Sequence, residues 1–164
     1  MDAFFEGLGR TVLDRWKRDN FSLEKFPEIA RSALEKRPPS KHVDLPTLMR
    51  DFLLRDEQPP QSDSDFGEPE IVAYSHPRFY IQLLFWLDGT TAIHQHEFSG
   101  AFHVMYGSSI HARYAFEKAQ SVTPYLRIGN VRLKEIELLE KGVPCRSPPA
   151  RRRFIRCSIW IRRR

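Results

Sequence analysis

Cysteine is scarce: only Cys145 and Cys157 occur, both near the C-terminal end, so no disulfide framework staples this chain. No apolar run approaches the roughly 18 residues needed to span a bilayer. The opening Met-Asp-Ala-Phe-Phe-Glu lacks the basic n-region of a signal peptide. A cytoplasmic protein with no membrane partner is expected. No internal repeat is present. Acidic residues are absent from Arg146 to Arg164, a stretch holding eight arginines. Without those eight, 18 of the 26 basic residues remain against 21 acidic ones, so the net charge of +5 becomes −3. The basic character belongs to the tail alone. It lacks the interleaved aromatic platform of a nucleic-acid surface, so no nucleic-acid partner is expected.

What is present is ordinary for a globular domain: 164 residues, 41% hydrophobic and 29% charged. Phe4, Phe5, Leu8, Val12, Leu13 and Trp16 fall at helical spacing and predict an amphipathic helix over 2–18. A second helix starts near Ser22 and stops before Pro38-Pro39. A third takes Asp44 as N-cap and Pro46 in its first turn. The expected organisation is a helical region over 1–56, a linker over 57–68, a β-core over 69–142 and an Arg/Pro-rich tail over 143–164.

From about Ile71 the pattern changes from helical to extended, with strands predicted at 70–75, 79–87, 91–97, 100–106, 109–117, 124–128 and 131–139. Asp88-Gly89, Gly107-Ser108-Ser109 and Gly129-Asn130 supply turns between most of them. Short strands at 8 to 12 residue spacing predict a mainly β protein, a barrel or sandwich with an N-terminal helical cap.

His94 and His96 lie one residue apart within such a strand, so their side chains project from one face. Two imidazoles there are placed to share one metal ion. The plainer alternative is a pair of surface histidines on a polar strand face.

These residues resemble the first motif of the cupin superfamily, in which a glycine precedes His-x-His and a second glycine closes the segment. Gly89 precedes His94-Gln95-His96 by four residues rather than the usual five, and Gly107 closes it. The family's glutamate position falls at Gly100, a departure shared with the thiol dioxygenase branch typified by cysteine dioxygenase. Phe85-Trp86-Leu87-Asp88-Gly89 and Ile93-His94-Gln95-His96 are similar to further features of that branch. The resemblance covers roughly residues 70 to 142. It implies a double-stranded β-helix, a jelly-roll-like barrel in which His94 and His96 hold Fe(2+) or another divalent metal. Dioxygen and a small-molecule thiol would fill the open positions on iron.

The second cupin motif is degenerate. Gly142-Val-Pro144 fits its start, but Arg156 stands where the third metal-binding histidine would be, and a guanidinium cannot coordinate a cation. The family's carboxylate-binding arginine position falls near Pro69, with Arg78 the nearest upstream basic residue. The tail accordingly reads as an aberrant or truncated end, or as a natural basic tail that contacts an acidic partner or nucleic acid, with Phe154 to Ile161 as one last strand.

Taking Gly107-Ser108-Ser109 as a hairpin loop pairs Tyr106 with Ile110, Val104 with Ala112, Phe102 with Tyr114 and Gly100 with Phe116. Every apolar pair then shares one face, as a buried face demands. His103 and His111 fall on the other face, solvated or packed on the cap. Glu97 is off the ligand parity. Tyr106, Tyr114 and Tyr125 are candidate pocket residues, the first two weakly assigned to substrate, with packed core as the alternative. The functional expectation is a metal-dependent dioxygenase impaired by loss of its third ligand. The alternative is a non-catalytic cupin-like module that binds a small ligand.

Overall fold

The computed structural model describes residues 2–57, 59–61, 69–86, 99–142, 144–145 and 154–161. Four helices come first: α1 (Asp2–Arg18), α2 (Phe26–Lys36), α3 (Pro39–His42) and α4 (Leu45–Leu53). On α1, Phe5, Leu8, Val12 and Trp16 form the buried stripe, and Arg15, Lys17 and Arg18 sit in the last turn, complementing the helix dipole. The helix stops where Asn20 and Phe21 take positive φ values of 51° and 56°. The Phe21 amide donates back to the Trp16 carbonyl at 2.9 Å, closing the end.

Pro27 lies in the first turn of α2, which begins four residues after the Ser22 start expected from sequence; residues 23–25 are spent in a turn. Asp44 caps α4, accepting from the Thr47 amide at 3.1 Å. Hydrogen bonding from Thr47 holds its carboxyl below the usual value.

The strands are β1 (Glu70–His76), β2 (Phe79–Trp86), β3 (Gly100–Thr123), β4 (Leu126–Glu140), β5 (Pro144–Cys145) and β6 (Phe154–Ile161). They pair in the order β1-β2-β6-β3-β4, with β5 beside β3, and every pairing is antiparallel. The last strand in sequence is therefore inserted between β2 and β3.

Strand alternation divides the core. Phe79, Ile81, Leu83, Phe85, Ala101 and Met105 pack against the helices. Leu84, Trp86, Phe102 and Val104 point to the opposite face, where Leu139 of β4 covers them. One glycine matters to the helix–sheet contact: a Cβ on Gly9 would lie 2.5 Å from the Tyr74 ring.

The expected cupin-type barrel is not the fold. Among the described residues β1 and β4 are the two edges of an open sheet, and nothing pairs them. The physical reason lies in β3. The loop expected at Gly107-Ser108-Ser109 does not form; the chain crosses it as a bend inside one 24-residue strand. Met105 is an extra residue between Val104, opposite Arg156, and Tyr106, opposite Ile155, and Gly107 follows with φ 76°. A straight strand would separate Phe102 and His111 by about 30 Å; their rings are 6.4 Å apart. Past the bend β3 pairs with β4 alone, turning at Pro124 and Tyr125. Gly129-Asn130, expected to be a turn, lies inside β4, with Asn130 opposite Glu117. A Cβ on Gly129 would meet the Glu117 carbonyl oxygen at 2.8 Å, which explains a glycine there.

Candidate functional site

His94, His96 and Glu97 lie outside the described residues. The strands flanking them meet β6: Trp86 stands opposite Phe154 at one end of it, and Gly100 opposite Trp160 near the other. Among the described residues no group of three or more His, Cys, Asp or Glu is arranged to hold a metal ion. Arg156 sits in β6 between Leu84 and Val104. Arg78 lies over the Phe21 ring, 4.2 Å from its centre, in a cation–π contact.

His103 and His111 are both fully buried, so neither is solvated. His103 lies on the helix side of the sheet, where its Nε2 shares a 2.8 Å hydrogen bond with the Ser40 hydroxyl of α3. Its Nδ1 has no hydrogen-bond partner among the described residues. Burial pulls its pKa down to about 4, so the ring is neutral near pH 7. His103 thus pins the cap to the sheet. The bend reverses the parity of β3, and His111 falls on the other side. There it donates from Nδ1 to Glu137 Oε1 at 2.5 Å and meets Phe102 edge-on. It locks the root of the β3–β4 hairpin against the sheet.

Beyond that root the hairpin forms a two-faced arm. On one face the cross-strand pairs are His111 with Glu137, Arg113 with Glu135, Ala115 with Arg132 and Glu117 with Asn130. Its charges are paired within the arm: Arg113 with Glu135, and Glu117 with Arg132 and Lys134. The Arg132 hydrogen bond, chiefly, lowers the Glu117 pKa.

The other face carries Ile110 with Leu138, Ala112 with Ile136, Tyr114 with Leu133 and Phe116 with Val131. A bulge at Lys134, between the Arg113 and Tyr114 pairings, keeps Leu133 and Ile136 on that one face. All eight residues are uncharged. The seven large ones are 43–61% exposed.

The candidate residues Tyr106 and Tyr114 are thus exposed side chains, Tyr114 within this apolar face, and Tyr125 stands fully open at the tip. The even-numbered apolar face of β3 was visible in the sequence. The pairings expected for it were wrong because the turn lies 15 residues further on than Ser109, at Pro124.

A shallow cleft between α1 and α2, lined by Arg15, Arg18, Asp19, Glu28, Ile29 and Ser32, mixes charges of both signs. None of the helices among the described residues is long and apolar enough to cross a membrane. No family model, curated protein or solved structure matches this chain.

Proposed function

We propose that the chain is a protein-interaction module and that the apolar face of the β3–β4 arm is its working surface. One observation carries this reading. Eight uncharged residues form a continuous face, and no described residue covers the seven large ones by more than about half. Apolar surface of that extent costs free energy in water at roughly 25 cal/mol per Å², so covering it is a driving force for association. The test, read at nanomolar protein where copies of the chain are apart, is a dye that brightens on apolar surface, such as anilinonaphthalene sulfonate. Exchanging Leu133, Ile136 and Leu138 for serine is expected to cut the dye signal several-fold, with the circular dichroism spectrum retained. An unchanged signal would refute the reading.

A second reading rests on the His94-Gln95-His96 spacing. In an extended segment those imidazoles can take two adjacent corners of Fe(2+), as in an iron-dependent dioxygenase. The ion would supply oxygen activation when bound, while the histidines position it. The donor chemistry fits for two ligands. A third ligand is not assigned, and Arg156 cannot serve. Metal analysis tests it: close to one iron per chain is expected, lost in His94→Ala and in His96→Ala. Equal metal content in all three proteins would exclude the assignment.

A further inference from the structure

We infer that the arm face is covered by the same face of a second copy of this chain, giving a two-fold dimer; this rests on the interaction reading above. Four observations converge on that occupant.

The first is the need for a second layer. An isolated two-stranded ribbon is marginal in water at best. Among the described residues only the root of this arm is packed, through Ser109, His111 and Leu139. Two arms laid face to face form a four-stranded, two-layer core of the kind seen when sheets stack at about 10 Å.

The second is area. At their exposures the seven large residues offer roughly 700 Å² of surface. That exceeds the largest apolar patch of a typical monomer, about 300–600 Å². It approaches the ~800 Å² per partner of a standard stable interface.

The third is charge. The face has no charged side chain to seat a polyanion or an anionic lipid surface. The charges on the reverse face already neutralise one another within the arm. A surface without charge is complementary to itself, which an isologous interface requires. Ala112 opposite Ile136 leaves a low point in the middle of the face, flanked by the taller Tyr114, Leu133, Ile110 and Leu138. Across a two-fold axis, a projecting side chain of one copy fits the low point of the other.

The fourth is the edge. β4 is an edge strand, and association through its edge is opposed by the bulge at Lys134 and by Arg127 and Arg132 along it; past the bend β3 has an outer edge too, interrupted between Glu117 and Gln120, where Lys118 takes φ 51°. The face, and not the edge, is the open route.

The experiment is sedimentation velocity on the full chain from about 1 to 100 μM, run beside the dye measurement. Wild type is expected at twice the chain mass of 19.3 kDa. Ile136→Asp is expected to weaken association at least 100-fold. Ala115→Asp, on the reverse face, is expected to leave it unchanged.

A wild type that stays at 19.3 kDa throughout overturns the dimer. If such a monomer still brightens the dye through Leu133, Ile136 and Leu138, the interaction surface survives and only the self-association fails. If the dye does not respond either, both fall. Should Ile136→Asp not fold, benzoylphenylalanine at position 114 decides the matter. A photoproduct of two chains supports the arm-to-arm dimer, and its absence from a wild-type-mass dimer refutes that geometry.

Discussion

The main sheet and the arm share one strand, and that strand meets opposite fates in its two halves. From Gly100 to Met105 every residue of β3 is buried, enclosed by helices on one side and by Leu139 on the other. Past the bend the same strand sets Ile110, Ala112, Tyr114 and Phe116 at alternate positions, yet the large residues among them are exposed. Alternation therefore identifies a face suited to burial. It does not supply the layer that buries it. In the first half α2 and α3 provide that layer. In the second half nothing described on this chain does.

The largest expected contrast is in the core. Phe79→Ala should cost about 3–5 kcal/mol, because Phe79 is fully buried against Trp16 and Phe26. Phe116→Ala, measured by urea denaturation at submicromolar protein, should cost under about 1 kcal/mol, as expected for a half-exposed arm residue. Equal costs would erase the distinction between the two regions.

Next comes the helix–sheet contact. Gly9→Ala should destabilise by about 1–3 kcal/mol, since the new methyl meets the Tyr74 ring. Tyr74→Leu in the same chain should restore part of the loss. No recovery would show that the two residues are not in contact.

A pH effect should arise at the cap. The His103 pKa is about 4 in the folded chain, below its ordinary 6.5. The unfolded chain therefore binds the proton first as pH falls. The resulting stability is present above pH 6.5 and is lost between there and about 4. His103→Gln should flatten that slope in thermal melts recorded across the window; an unaltered slope would exclude His103 as its source.

The smallest effect belongs to the arm's polar face. Arg132→Ala should change stability by less than about 1 kcal/mol, because its pairing with Glu117 is exposed. A larger loss, read in the same urea titration, would mean the ion pairs hold the arm together.

Local signals were legible in the sequence where local physics decides the outcome. The stripe of α1 and the Asp44 cap of α4 stand as expected, and β1 and β2 begin where the pattern changes. Gly107-Ser108-Ser109 was misread because glycine and serine suit a hairpin loop and a bulged bend equally well. Pairings with distant residues, Gly107 with Phe154 and Ser108 with Glu140, distinguish the two. The central place of β6 was hidden for the same reason, since register across more than 40 residues leaves no local mark. The barrel followed from short strands at 8 to 12 residue spacing and from the cupin resemblance, neither of which fixes how distant strands pair. The histidine pair that suggested a metal lies outside the described residues, so the fold neither places nor separates the two rings.

The central claim is that the arm face is open in one copy and closed by association. Hydrogen exchange read by mass spectrometry at low and high protein concentration tests it directly. Amides over 110–116 and 131–138 should slow by at least tenfold as concentration rises, while those of β2 stay unchanged. Arm amides as protected as β2 at every concentration would contradict the account.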